Sequence, residues 1–98
     1  MPYSSPLKVA TDHPAFRGHF PGAPILPGVV LLDAVLQAVA ASAHYATKDW
    51  QVASAKFLKV VTPGETLHIK HESTANGGIQ FRVLSADQTV ASGLLAPA

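Results

Sequence analysis

The chain has no cysteine. That excludes disulfides, thiolate nucleophiles and cysteine-built metal sites, and it leaves the redox compartment open. Charge is also scarce: 13% of the 98 residues are Asp, Glu, Lys or Arg, against about 25% in an average globular protein. The seven basic and six acidic residues leave a formal net charge of +1, without the positive excess of a nucleic-acid-binding domain. Met1 to Lys8 holds no apolar run, so it lacks the hallmark of a signal peptide. What is abundant is apolar side chain, at 48%, which excludes a disordered chain. The length suits one domain, residues 1–98, with one modest core. So little charge on so small a domain predicts that a partner subunit covers part of the surface.

Residues 5–11 alternate Leu7, Val9 and Thr11 with polar or small positions, which predicts a short strand. A punctuated stretch follows. Residues 13–28 hold Pro14, Pro21, Pro24 and Pro27 with Gly18, Gly22 and Gly28, and neither a helix nor a central strand tolerates that density. From Val29 to Tyr45 the chain is apolar, rich in alanine, and free of Gly and Pro, which predicts a helix too long to be a strand. Nearly every face of it is apolar, the pattern of a buried helix. Asp33 and Gln37 interrupt it and argue against a membrane span. Pro27 suits its start, where a missing N–H costs nothing, and Lys48 lies just past its end, where a cation suits the helix dipole.

Beyond Trp50 the period changes to two. Strands are expected over 50–61, 65–74, 79–85 and 89–95, separated by Thr62-Pro63-Gly64, by Asn76-Gly77-Gly78 (a strong hairpin signal) and by Ala86-Asp87-Gln88. The tally is one short strand, one long central helix and a four-stranded antiparallel meander. This is an α+β fold in which a curved sheet covers the helix. One sheet from so short a chain wraps only part of an all-apolar helix, which again points to a second subunit.

Asp33 is the residue the apolar pattern does not explain. An aspartate inside such a helix is costly to bury unless it is paired or neutral. Gln37, one turn later on the same face, is placed to hydrogen-bond it. His19 lies in the stretch ahead of the helix, whose first turn offers free N–H groups at Gly28 and Val29. A neutral imidazole, a carboxyl and an oxyanion donor are the parts needed for proton transfers beside a carbonyl. Desolvation of Asp33 would keep it protonated and able to donate. Simpler roles compete: a helix-dipole partner for Asp33, an exposed loop residue for His19, a structural hydrogen bond for Gln37. His68 and His71, three apart on an expected strand, face opposite sides and make no metal pair; both are expected on solvated surface. His13 and His44 fall into no pattern. Arg17, Lys56, Lys59 and Arg82 read as solvated charges, of which one or two could meet an acidic partner, and they are too few and too scattered along the chain to map a docking face.

From His13 the chain runs His-Pro-Ala-Phe-Arg-Gly-His19-Phe20-Pro-Gly-Ala-Pro-Ile-Leu-Pro27-Gly28-Val29-Val-Leu-Leu-Asp33-Ala-Val-Leu-Gln37. It closely resembles the signature of the bacterial β-hydroxyacyl-ACP dehydratases of the hotdog fold, G-H-F-x-G-x-P-x-x-P-G-x-x-x-x-[DE]-A-x-x-Q, and matches it without a gap. Residues 53–64 resemble the strand and turn that follow in that family, and the final two strands agree in pattern. The family's carboxylic acid is Glu in the plain dehydratase branch and Asp in the branch that also isomerises, whereas Gly18-His19-Phe20-Pro21-Gly22 looks more like the plain branch. Eighteen residues precede His19, fewer than in better-known members, as in the short dehydratase-like proteins of aryl-polyene and polyketide-type clusters.

The resemblance implies a long helix wrapped by a curved antiparallel sheet, and a dimer with its sites at the subunit interface. His19 would remove the proton α to a thioester carbonyl. Asp33, from the other subunit's helix, would protonate the departing hydroxyl. The Gly28 N–H, with Val29 beside it, would polarise the carbonyl; Gln37 would orient Asp33; Phe20 and Pro27 would line the substrate. The substrate would be a 3-hydroxyacyl thioester of acyl carrier protein or coenzyme A, with no metal or redox cofactor. The assembly would be a homodimer, an oligomer of dimers or a heterodimer, in the cytoplasm. Two other functions stay open: a hotdog acyl thioesterase whose carboxylate activates water or attacks the thioester, and a non-catalytic subunit completing a dehydratase dimer.

Overall fold

The computed structural model describes residues 3–8, 27–42, 45, 49–62 and 64–98. Its elements are β1 (Tyr3–Lys8), α1 (Gly28–Ala41), β2 (Trp50–Phe57), β3 (Thr66–Ser73), β4 (Ile79–Ser85) and β5 (Gln88–Pro97). All strands are antiparallel neighbours in one five-stranded sheet of order β1-β3-β4-β5-β2.

That order corrects the expected four-stranded meander. Only β3, β4 and β5 follow one another across the sheet, while β2 lies at the far edge against β5 and β1 closes the other edge against β3. The segment after β2 explains the difference. Leu58 and Lys59 N–H both donate to the Val90 carbonyl, and Val61 is buried in the core, so this segment leads the chain off the β2 edge. The strand limits also move. β1 starts at Tyr3 rather than at residue 5, residues 9–11 of the expected strand lie outside the described residues, and β2 ends at Phe57 rather than 61.

The two hairpins of the meander have the expected chemistry. In the β3–β4 turn Gly77 takes φ 87°, a left-handed value that favours glycine. The Thr74 N–H closes this turn on the Gly78 carbonyl at 2.9 Å. In the β4–β5 turn Ala86 itself holds φ 55°.

The helix is shorter than the apolar run. It ends at Ala41, fourteen residues long, because Ser42 turns to extended backbone (φ −71°, ψ 136°) and its N–H bonds the Val39 carbonyl. Nor is it buried on every side. Leu31, Val35 and Val39 are buried, four residues apart, and they meet Leu67, Ile69, Ile79, Phe81, Val83, Val90, Ala91 and Leu95 of the sheet. Val29, on another face, is 74% exposed. Phe57, Leu58, Val60 and Leu94 are also substantially exposed, along and beside the β2 edge. A single chain therefore leaves apolar helix and sheet-edge surface uncovered. No helix among the described residues is long and apolar enough to cross a membrane.

Candidate active site

The side chains of α1 are placed by its seat on the sheet. Successive residues turn by about 100°, so the stripe Leu31, Val35, Val39 centres about 180° from the pair Asp33 and Gln37. With the first stripe in the core, Asp33 and Gln37 are both exposed on the side away from the sheet. The expected pairing is present: Gln37 Nε2 donates to Asp33 Oδ2 at 2.7 Å. Asp33 is the sixth residue of α1, and the first turn holds no acid, so it is not a dipole partner of the helix start. This chain does not supply the burial expected of it.

The start of α1 forms the second part of the site. Pro27 is the cap residue, extended at φ −61° and ψ 144°, and it contributes no side-chain cap. Val30 and Leu31 N–H donate to the Pro27 carbonyl at 3.1 and 3.3 Å. The Gly28 and Val29 N–H groups precede these bonds, at the positive end of the helix. Phe57, at the end of β2, lays its ring against this turn: a Cβ on Gly28 would lie 2.8 Å from Phe57 Cζ. Gly28 therefore lets the ring approach the helix start. Sequence reasoning missed Phe57, because the contact joins residues 28 and 57 through the sheet order.

Gln37 also borders an open cleft of about 520 Å³ lined by Leu36, Ala40, Asp49, Trp50 and Ala98. Pro27, Gly28, Val29, Asp33 and Gln37 thus gather on the outer side and N-terminal end of α1. His19 and Phe20, the remaining expected site residues, lie outside the described residues. The described residues contain no group of three His, Asp or Glu side chains placed to hold a metal ion.

His71 corrects another expectation, that both strand histidines are solvated. His68 is exposed, but His71 is 2% exposed on the inner face of β3. Tyr45, from the segment after α1, covers it. The Tyr45 hydroxyl lies 2.6 Å from His71 Nδ1, and Ser5 Oγ lies 3.4 Å from Nε2. Tyr3 and Trp50 each pack edge-on against the Tyr45 ring. Burial pushes the Tyr45 hydroxyl pKa up, with Tyr3 and Glu72 adding to the rise. His71 shares the inner side of β3 with Leu67 and Ile69, and what covers that side was not visible in the alternation.

Comparisons with known proteins place the chain in a family. The model of the family described as "ApeI-like: ApeI dehydratase" matches residues 3–94. The chain is 41% identical over 69 residues to the 3-hydroxyacyl-[acyl-carrier-protein] dehydratase FabZ of Rickettsia bellii (strain OSU 85-389), covering 62% of this chain and 48% of that protein. It is 38% identical over 100 residues to FabZ of Chlamydia trachomatis serovar D, covering 89% and 65%. The chain thus spans about half to two thirds of the length of these relatives. Among solved structures, the dehydratase heterocomplex ApeI:P from Xenorhabdus doucetiae superposes with a TM-score of 0.79 at 28% identity, over 96% of this chain and 84% of that one. A mutant of the fluoroacetyl-CoA-specific thioesterase FlK matches with a TM-score of 0.70 at 11% identity over 97% and 88%, a likeness of fold alone. The curved antiparallel sheet with one helix is therefore a hotdog fold.

Proposed function

We propose that this chain, which belongs to the ApeI-like dehydratase family whose model spans its residues 3–94, dehydrates a 3-hydroxyacyl thioester to the trans-2-enoyl thioester. The observation that carries this is the Asp33–Gln37 pair, held at 2.7 Å on the outer side of α1 beside the open N-terminus of the same helix. Gln37 occupies Oδ2 with a donated hydrogen bond, which leaves Oδ1 to carry the acid proton. His19 takes the proton α to the carbonyl. The C–O bond at the β carbon breaks, the C=C bond forms, and Asp33 delivers its proton so that the hydroxyl leaves as water. The Gly28 N–H, with Val29 beside it, stabilises the oxygen of the thioester as charge builds there. Pro27 and Phe20 bound the reacting end of the acyl chain. The thioester is that of an acyl carrier protein or coenzyme A.

The site is built at an interface. Asp33 faces away from this chain's sheet, and the histidine that works with it is assigned to a second subunit, like or unlike this chain, as the family resemblance implies. The exposed Val29, Phe57, Leu58 and Val60 provide apolar surface for that contact. The likeness to a dehydratase heterocomplex supports the unlike case.

The test is formation of enoyl thioester from a 3-hydroxyacyl thioester by the purified protein, beside Asp33→Asn and His19→Ala. Loss of each group should lower the rate by about 10²–10⁴-fold. Asp33→Asn turning over at the wild-type rate overturns the assignment of the acid. Release of free thiol in place of enoyl product makes the chain a thioesterase.

A further inference from the structure

Three of the basic residues scattered along the sequence are brought into line by the strand register. Ser4 of β1 pairs with Lys70 of β3, Lys70 with Arg82 of β4, Arg82 with Ser92 of β5, and Ser92 with Lys56 of β2. These five positions form one row across the whole sheet. The neighbours of Lys70 and Arg82 along the chain, Ile69, His71, Phe81 and Val83, are buried against the core, so the row lies on the outer face. Lys56, Lys70 and Arg82 are exposed, and none has an ion pair or side-chain hydrogen bond among the described residues. The flanking rows add His68 on one side and, on the other, Glu72, the one acid among the described residues there. Between Lys70 and Arg82 the surface dips into a depression of about 150 Å³, also lined by Glu72 and Gln80.

Like charges directly opposite across two strands destabilise a sheet, and Lys70 and Arg82 are such a pair. The row gives them no acidic partner, only two hydroxyl-bearing positions, Ser4 and Ser92. An anion from outside would relieve the repulsion.

The spacing selects its shape. Adjacent strands lie about 4.8 Å apart, and an α-helix climbs about 5.4 Å per turn. Acidic residues at i, i+4, i+7 and i+11 of a helix laid across the strands fall roughly on four consecutive strands of this row. The first two meet Lys70 and Arg82, the third meets the Ser92 hydroxyl, and the fourth meets Lys56. Long Lys and Arg stems absorb the small mismatch. A membrane surface suits the row less well, since electrostatic lipid binding uses clusters of four to eight cations. A nucleic acid suits a chain of net charge +1 no better.

We infer that the outer face of the sheet is a docking surface for an acidic helix of a partner protein, read by Lys70, Arg82 and Lys56 in register. The inference does not rest on the dehydratase reading, because the row lies on the opposite face of the sheet from α1 and Asp33.

The test uses the full chain and a fluorescein-labelled, side-chain-stapled helical peptide with glutamates at i, i+4, i+7 and i+11. Its control is a peptide of the same composition with the glutamates spread around the helix. At low ionic strength the striped peptide should bind at least about tenfold more tightly by anisotropy. Arg82→Glu and Lys70→Glu should each abolish that preference, as should the milder Arg82→Gln with Lys70→Gln. Lys59→Glu, the same change of charge off the row, should leave it intact. Circular dichroism confirms folding of each variant, and the Gln pair serves if a Glu variant fails to fold. Equal binding of the two peptides, equal loss in Lys59→Glu, or binding to phosphatidylserine vesicles without a peptide preference overturns the inference.

Discussion

Replacing Gly93 with alanine tests how β2 is held, and through β2 how Phe57 reaches the helix start. Gly93 sits in β5 opposite Ala55 of β2 and Phe81 of β4. A Cβ there would overlap the Ser54 carbonyl oxygen and lie 2.9 Å from Cε1 and Cζ of the Phe81 ring. The carbonyl belongs to the partner backbone, beside the register shift between Val52 and Ser54, and cannot swing aside as a side chain can. The variant must therefore part β2 from β5 locally or bend β5. Overpacking of this kind costs about 1–3 kcal/mol, and a backbone obstacle places it near the upper end. For a domain of this size each kcal/mol lowers Tm by about 4–8 °C, so a loss of ~3 kcal/mol corresponds to roughly 12–24 °C. Urea and thermal unfolding measure the loss, and hydrogen exchange locates it. Amides of β2 should lose protection while those joining β3 and β4 keep theirs. A double-mutant cycle with Phe81→Leu separates the two obstacles: if the carbonyl sets the cost, the coupling is close to zero. A cost below about 0.5 kcal/mol, or full rescue by Phe81→Leu, would refute the reasoning.

Three further substitutions have definite outcomes. Glu65 accepts bonds from the Ser85 hydroxyl at 2.6 Å, the Thr62 N–H at 2.5 Å and the Thr62 hydroxyl at 3.0 Å, and the Ser85 bond leads in holding its pKa below the ordinary 4.5. Its contribution is present above pH 4.5 and lost as the pH falls through the lowered value, so Glu65→Gln should flatten the acid limb of a stability–pH curve while costing under about 1 kcal/mol at pH 7. Tyr45→Phe removes the 2.6 Å partner of buried His71 and should cost about 1–3 kcal/mol in urea unfolding; an unchanged midpoint would show that the hydroxyl contributes nothing. Phe57→Ala, removing a ring that is half exposed, should cost about 1–2 kcal/mol, less than a fully buried ring. It should lower kcat/KM for the hydroxyacyl thioester further than that loss explains, since water would gain access to the Gly28 N–H; unchanged kcat/KM would make the ring structural only.

Local chemistry was legible in the sequence, and long-range order was not. Alternation located β3, β4 and β5 to within two residues, and Asn76-Gly77-Gly78 marked its hairpin through the left-handed Gly77. The four-residue spacing of Asp33 and Gln37 foretold their hydrogen bond. The position of β2 beyond β5 was hidden, because it depends on which edge of the meander the strand joins, a choice made by the pairing of Trp50–Phe57 with β5. The Phe57 ring against Gly28 and the place of Lys56 in the row with Lys70 and Arg82 follow from that choice and were hidden with it, and the burial of His71 beneath Tyr45 depends on a separate long-range contact. The helix was overestimated because its run of alanine and valine carries no stop signal before Ser42, where the backbone turns extended.

The division of labour on α1 explains why a carboxyl persists in so apolar a segment. A helix seated through Leu31, Val35 and Val39 has one side fixed by the core, and about half a turn away the side chains are free of packing demands. Asp33 and Gln37 occupy that side, so neither charge nor hydrogen bond disturbs the sheet. Proton transfer gains from a site that excludes water, and the sheet cannot supply that exclusion to residues that point away from it. Under the proposed function, that cover would come from a second subunit and the acyl chain together. The same four-residue period that seats α1 on the sheet through Leu31, Val35 and Val39 thus holds the Asp33–Gln37 pair on the opposite side, and the line Val-Val-Leu-Leu-Asp33-Ala-Val-Leu-Gln37 encodes both at once.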